Sequence, residues 1–178
     1  MNIHRRHFLG ATGALVISNI TTSANALVPE NGARRLGFVC THTGEHVDVE
    51  YWAKGRYVPD ATAEIDHVLR DFRSGEVHPI DPSLLDLLYS LHSELDSGEP
   101  FSVISGYRSP TTNASLQSKS NGVATNSLHM RGMAIDIRLP GRKIADLHRA
   151  ALALQAGGVG YYPVPEFVHV DVGRVRRW

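Results

Sequence analysis

Ser127-Leu128-His129-Met130-Arg131-Gly132-Met133-Ala134-Ile135-Asp136-Ile137 sets an imidazole and a carboxylate seven residues apart. Further along, Glu166-Phe167-Val168-His169-Val170-Asp171-Val172 places a second imidazole between two more acids. Two histidines and one aspartate are a donor set suited to an open zinc site, with three protein ligands and a fourth position left for water. The chemistry of such a site is hydrolysis.

Whether the two stretches can meet depends on their local structure. A helix through 129–136 would separate His129 from Asp136 by about 10.5 Å along its axis. Metal bonds of about 2 Å do not bridge that gap. The pattern is not helical: Met133, Ile135 and Ile137 alternate with Ala134, Asp136 and Arg138, which is the period of a strand. Gly132 lets the chain turn between His129 and that strand. In the last apolar run Val168, Val170 and Val172 share one face, and Phe167, His169 and Asp171 share the other. Laid side by side, the two strands bring Asp136 and His169 together, with His129 arriving from the turn.

The remaining chain supplies the frame. Arg35 to Cys40 and His46 to Trp52 read as a β-hairpin around Thr41-His42-Thr43-Gly44-Glu45. Thr62 to Arg73 carries Ile65, Val68, Leu69 and Phe72 at helical spacing. Asp81-Pro82-Ser83 opens a second amphipathic helix, with Asp81 as N-cap and Pro82 in the first turn. Phe101 to Ser105 reads as a strand that runs into the turn-rich Gly106 to Asn113 and a polar stretch to Asn126. A loop of that length is usually functional or mobile. Lys143 to Leu154 is a third helix, and Gly157 to Tyr162 a strand entered through glycines. These elements predict an α+β domain, an antiparallel sheet carrying the metal site and flanked by helices. No internal repeat is present.

Composition narrows the class. A chain of 178 residues suits one domain, and its 18 basic and 18 acidic residues carry no basic stripe of the kind a nucleic-acid binder needs. His4-Arg5-Arg6-His7-Phe8-Leu9, a modest apolar run and Ala24-Asn25-Ala26 form the pattern of a twin-arginine export signal cleaved after Ala26. The apolar run is too short for a permanent membrane anchor. The expected organisation is a signal over residues 1–26 and one domain over 27–178, exported to the periplasm or cell envelope. Cleavage leaves 16 basic against 18 acidic residues, a net charge of −2. Cys40 is the single cysteine, so no internal disulfide is available, and its strand context marks it as a small core residue. Cys40, His42 and His46 do not have a recurrent zinc spacing.

Three motifs together carry a resemblance: Ser105-Gly106-Tyr107-Arg108-Ser109, then Ser127-x-His129-x-x-Gly132-x-Ala134-x-Asp136, then Phe167-Val168-His169-Val170-Asp171. In this order they resemble the zinc D-alanyl-D-alanine peptidases, which share a fold with the hedgehog signalling domain. Within that group the look is towards murein endopeptidase K-like proteins of the bacterial envelope. The resemblance spans residues 35–178. It implies His129, Asp136 and His169 as ligands of Zn2+, and Arg108 as the group that steadies a substrate carboxylate or polarised carbonyl. The substrate it implies is peptidoglycan, cut at cross-links or stem peptides, with an endopeptidase favoured over a carboxypeptidase.

The proton-shuttling acid remains open between two residues. Many relatives carry the base three residues before the last histidine, which is Glu166 here. Strand parity favours Asp171, whose alternative role is to orient a ligand histidine. Two non-enzymatic readings stand beside the peptidase: a zinc-containing protein that binds peptidoglycan peptides without cutting them, and a metal-free structural protein of the envelope.

Overall fold

The computed structural model describes residues 32–120 and 122–178, so the export signal expected over 1–26 lies outside the described residues. The elements in order are β1 (Arg34–Cys40), β2 (His46–Ala53), β3 (Arg56–Tyr57), α1 (Pro59–Val68), α2 (Pro82–Glu94), β4 (Phe101–Ser105), α3 (Pro110–Gln117), a 3-10 turn (Leu128–Arg131), β5 (Ala134–Arg138), α4 (Ile144–Leu154), β6 (Gly158–Tyr162), β7 (Phe167–Asp171) and β8 (Arg176–Arg177). The strands form one sheet in the order β3-β2-β1-β4-β5-β7-β6-β8. It is mostly antiparallel, with β1–β4 and β6–β8 paired in parallel. The fold class is α+β as the periodicities predict, with a mixed sheet in place of a purely antiparallel one.

Alternation decides which face of the sheet is core. Ile135, Ile137, Val168 and Val170 are fully buried and join Leu84, Leu88 and Leu91 of α2 and Leu147 and Ala151 of α4 in one apolar cluster. Burying each such branched side chain contributes about 1.5–3 kcal/mol. Their neighbours Asp136 and His169 therefore lie on the opposite face. Register completes the arrangement: Asp136 pairs with His169 directly across β5 and β7. Cys40 is a buried free thiol within the cluster.

Two helices depart from the sequence reading. α1 starts at Pro59 and ends at Val68, short of the expected Arg73. The chain leaves the helix because its next residues are needed elsewhere. The Leu69 carbonyl accepts the Tyr107 N–H at 2.8 Å, and Asp71 turns to Ser109. Within the stretch read as loop, α3 forms over Pro110–Gln117, with Pro110 in its first turn and the Ser109 hydroxyl accepting the Thr112 N–H at 3.2 Å. Its inward positions are the polar Thr112 and Asn113, so no apolar period announced it.

Candidate metal centre

Three side chains converge on the polar face of β5 and β7. His129 Nε2 lies 3.2 Å from His169 Nδ1. His169 Nδ1 lies 2.9 Å from Asp136 Oδ1, and His129 Nε2 lies 3.4 Å from the same oxygen. All three residues are buried. Ligand atoms about 2.0–2.1 Å from a tetrahedral ion stand about 3.4 Å from one another, so the triangle is close to the size such an ion requires. Among the described residues this is the one group of His, Cys, Asp or Glu whose donor atoms converge in this way.

Local structure explains each position. The 3-10 turn after Ser127 is closed by Gly132 at φ +66°, where a Cβ would meet the Pro79 carbonyl oxygen at 2.2 Å. That turn swings His129 over β5. The Arg108 N–H donates to the His129 carbonyl at 3.1 Å, tying the loop after β4 to this histidine. Gly106 crosses Leu69 so closely that a Cβ would sit 2.4 Å from its carbonyl oxygen.

The outer hydrogen bonds fix both imidazoles. His129 Nδ1 lies 2.8 Å from the Gly106 carbonyl, which only accepts, so Nδ1 carries a hydrogen and Nε2 is the nitrogen turned into the site. His169 Nε2 lies 3.0 Å from Asp171 Oδ2, which likewise accepts, so Nε2 is engaged outside the site and Nδ1 is the nitrogen turned towards Asp136 and His129. Two ring nitrogens and a carboxylate thus face one another in a buried space. A cation bound among them would satisfy all three at once.

The titration preferences express the same demand. Burial would push the Asp136 carboxyl up, but the facing His129 and His169 rings hold it well below the usual carboxylate range. Burial would lower His169, yet Asp136 and Asp171 raise it above its ordinary value. Burial lowers Arg108, opposed by the Asp136 charge.

The other candidate residues fall in different places. Arg108 is buried, with Nη2 at 3.7 Å from Asp136 Oδ2 and 3.3 Å from the Ser105 hydroxyl, and Nη1 at 3.3 Å from Asn113 Oδ1. Its Nε has no hydrogen-bond partner among the described residues. Asp171 shares the face of His169 as parity predicts, but it meets the ring edge turned away from Asp136. It is fully buried, and its oxygens also take the Gly158 and Gly173 N–H groups and both Arg176 Nη atoms. Every lone pair of that carboxylate is committed. Glu166 is exposed at φ +54° in the turn before β7, next to Phe167 of the cleft wall. Its backbone carbonyl accepts from Arg138 Nε, and its carboxylate has no hydrogen bond among the described residues.

A cleft of about 470 Å³ opens over the three convergent side chains, bounded by Arg108, Asn126 and the rings of Tyr162, Phe167 and Trp178. Sequence reasoning did not single out Tyr162 or Trp178 for this wall. The signal was available for Tyr162, which shares parity with Gly160 across from His169. Trp178 reaches the wall through β8, too short to read from a pattern.

The family model described as "Peptidoglycan L,D-endopeptidase MepK" matches residues 28–178. The chain is 39% identical over 176 residues to peptidoglycan L,D-endopeptidase MepK of Escherichia coli strain K12, covering 98% of this chain and 97% of that one. It is 38% identical over 177 residues to the probable peptidoglycan L,D-endopeptidase MepK of Haemophilus influenzae, covering 98% and 95%.

Proposed function

The chain belongs to the peptidoglycan L,D-endopeptidase MepK family, and from that premise we propose that His129, Asp136 and His169 hold a zinc ion with which it hydrolyses peptide cross-links of peptidoglycan. The observation that carries the proposal is the pair of imidazole nitrogens facing each other and the Asp136 carboxylate within 2.9–3.4 Å. Nitrogen and carboxylate donors in a buried triangle suit zinc.

Bound there, zinc would activate water near neutral pH and polarise the scissile carbonyl. The Gly106 carbonyl and Asp171 keep His129 and His169 in the orientations that present their inward nitrogens. Arg108 supplies positive charge at the site, held beside Asp136 on the wall of the cleft, and binds a substrate carbonyl or carboxylate oxygen. Glu166 is the acid that moves the proton from water to the leaving amine, because its carboxylate is uncommitted and that of Asp171 is not. Burial of the ligands removes competing water and strengthens every charge interaction in the site.

A peptidoglycan enzyme works in the cell envelope. Export by the twin-arginine route through residues 1–26, followed by cleavage after Ala26, fits that setting, and the family match begins at residue 28. The mature domain then spans 27–178.

Digestion of purified cross-linked peptidoglycan by the mature protein tests this reading. Released fragments are expected with zinc, none after treatment with a chelator, and full recovery when zinc is returned. Release that persists unchanged in chelator removes the metal from the mechanism, and no release in zinc removes the peptidase.

A further inference from the structure

We propose that Tyr162 is a further substrate-binding residue of the cleft, its phenolic O–H held out by Trp178 to donate to a carbonyl or carboxylate oxygen of the bound peptide. The inference rests on the peptidase reading above.

Tyr162 ends β6 on the face that carries the metal ligands: Gly160 stands opposite His169, and Tyr162 opposite Phe167. Its ring stacks on Phe167 with centroids 4.5 Å apart. Its hydroxyl oxygen accepts the Trp178 indole N–H at 2.7 Å. An indole nitrogen only donates, so this bond occupies an acceptor position of the phenol and directs its own hydrogen elsewhere. No acceptor for that hydrogen is present among the described residues. Both rings border the same cleft as Arg108, His129, Asp136 and His169. An uncommitted donor on the wall of an otherwise apolar stretch fixes the orientation of a ligand that brings an acceptor.

Trp178 is built to hold that donor still. Its backbone N–H donates to the Val159 carbonyl at 3.2 Å, and its backbone carbonyl accepts the Tyr161 N–H at 3.1 Å. The indole lies against Gly160, where a Cβ would stand 2.7 Å from the ring. The Arg176 guanidinium is 4.9 Å from the ring centroid, and the His169 ring 5.2 Å. Arg176 is itself held by Asp171 at 2.7 Å. The strand edge, the buried Asp171 network and a metal ligand thus all bear on one indole, whose single polar atom is spent on Tyr162. Trp178 acts through Tyr162 as a positioning residue.

Steady-state kinetics on a cross-linked peptidoglycan fragment, with bound metal quantified, test the pair. Y162F deletes the donor and keeps the ring, and W178F keeps an aromatic ring but deletes the N–H that aims the phenol. Y162F is expected to lower kcat/KM about tenfold, chiefly through KM, with metal content equal to wild type. W178F is expected to show a smaller loss that vanishes in the Y162F background, because the two act as one unit. Activity of Y162F within twofold of wild type overturns the proposal, as do losses that multiply in the double variant or loss of metal from Y162F. A second measurement does not depend on turnover. In W52F, Trp178 is the sole indole of the chain's two, so an intact peptide cross-link added to the metal-free protein should change its emission, and an unchanged spectrum at saturating peptide overturns the proposal. Wild type that cleaves while Y162F matches it rejects this inference alone. Wild type that fails to cleave rejects the peptidase reading first.

Discussion

Asp171 holds His169 by the ring nitrogen turned away from Asp136: Oδ2 lies 3.0 Å from Nε2, while Nδ1 faces Asp136 Oδ1 at 2.9 Å. One imidazole is thereby gripped at both edges by carboxylates with different duties. The outer one orients the ring, and the inner one belongs to the candidate metal triangle. Because Asp171 is also bound by Gly158, Gly173 and Arg176, the strand end and the ring orientation are set by a single buried group.

Asp171→Asn separates orientation from proton transfer. An amide presents N–H hydrogens to groups that already donate, so the grip on His169 weakens. Metal affinity is expected to fall about 10–100-fold, with most activity regained at saturating zinc. Titration of the metal-free variant with zinc, followed by activity at saturation, checks it. Wild-type affinity combined with lost activity would assign the proton transfer to Asp171 instead.

Glu166→Gln addresses the other acid. Glu166 adopts φ +54°, a conformation costing a side-chain-bearing residue about 1–2 kcal/mol. Arg138 holds the turn through the Glu166 and Pro165 carbonyls. A general base contributes about 10²–10⁴-fold, so E166Q should lose at least about a hundredfold in kcat while its metal content stays full. Should kcat stay within a factor of two, the proton is handled without Glu166.

The division between what the sequence disclosed and what it did not follows the range of the interactions. Alternation in 133–137 and 167–172 placed Asp136 and His169 on one polar face, because side-chain direction in a strand is a local property. The pairing of these two residues across β5 and β7 realises that geometry. Parity also put Asp171 on the right face, but it does not tell one edge of an imidazole from the other. α3 was not legible because its buried positions are Thr112 and Asn113, chosen for hydrogen bonds to neighbouring loops rather than for apolar contact. The early end of α1 depends on Leu69 and Asp71 meeting Tyr107 and Ser109, partners 38 residues further along the chain. No window of local pattern contains that.

Arg108→Leu probes a cation that the fold holds at its own expense. The guanidinium is buried, its contacts to Ser105 and Asn113 are long at 3.3 Å, and its Nε is unpaired among the described residues. Replacing an imperfectly paired buried charge by an apolar side chain is often neutral or stabilising. R108L should therefore melt no lower than wild type while kcat/KM falls about a hundredfold or more. R108K should not restore it, since a point charge does not reproduce the guanidinium fork. A marked drop in melting temperature for R108L would show that Arg108 serves the fold rather than the substrate.

Asp71 links acid stability to the placement of Arg108. Burial pushes its carboxyl up, but hydrogen bonds from Thr112 and from the Ser109 hydroxyl and N–H, with the Arg73 N–H, outweigh it and hold it at about 2. Ser109 follows Arg108 directly and caps α3, so this carboxylate anchors the loop that carries the guanidinium. The folded value lies below the unfolded one. Its stabilisation is therefore fully present above pH 4 and is lost as pH falls towards 2. Asp71 is 1% exposed, so solvent screening discounts little, and the shift corresponds to about 2 kcal/mol. Denaturant unfolding of wild type and D71N from pH 7 to pH 2 should show wild type the more stable above pH 4. The gap should narrow by about 2 kcal/mol across the lower range, and D71N should have reduced kcat/KM at neutral pH with metal content unchanged. A gap that stays constant down to pH 2 would mean that the Asp71 carboxylate is not the group titrating with the fold.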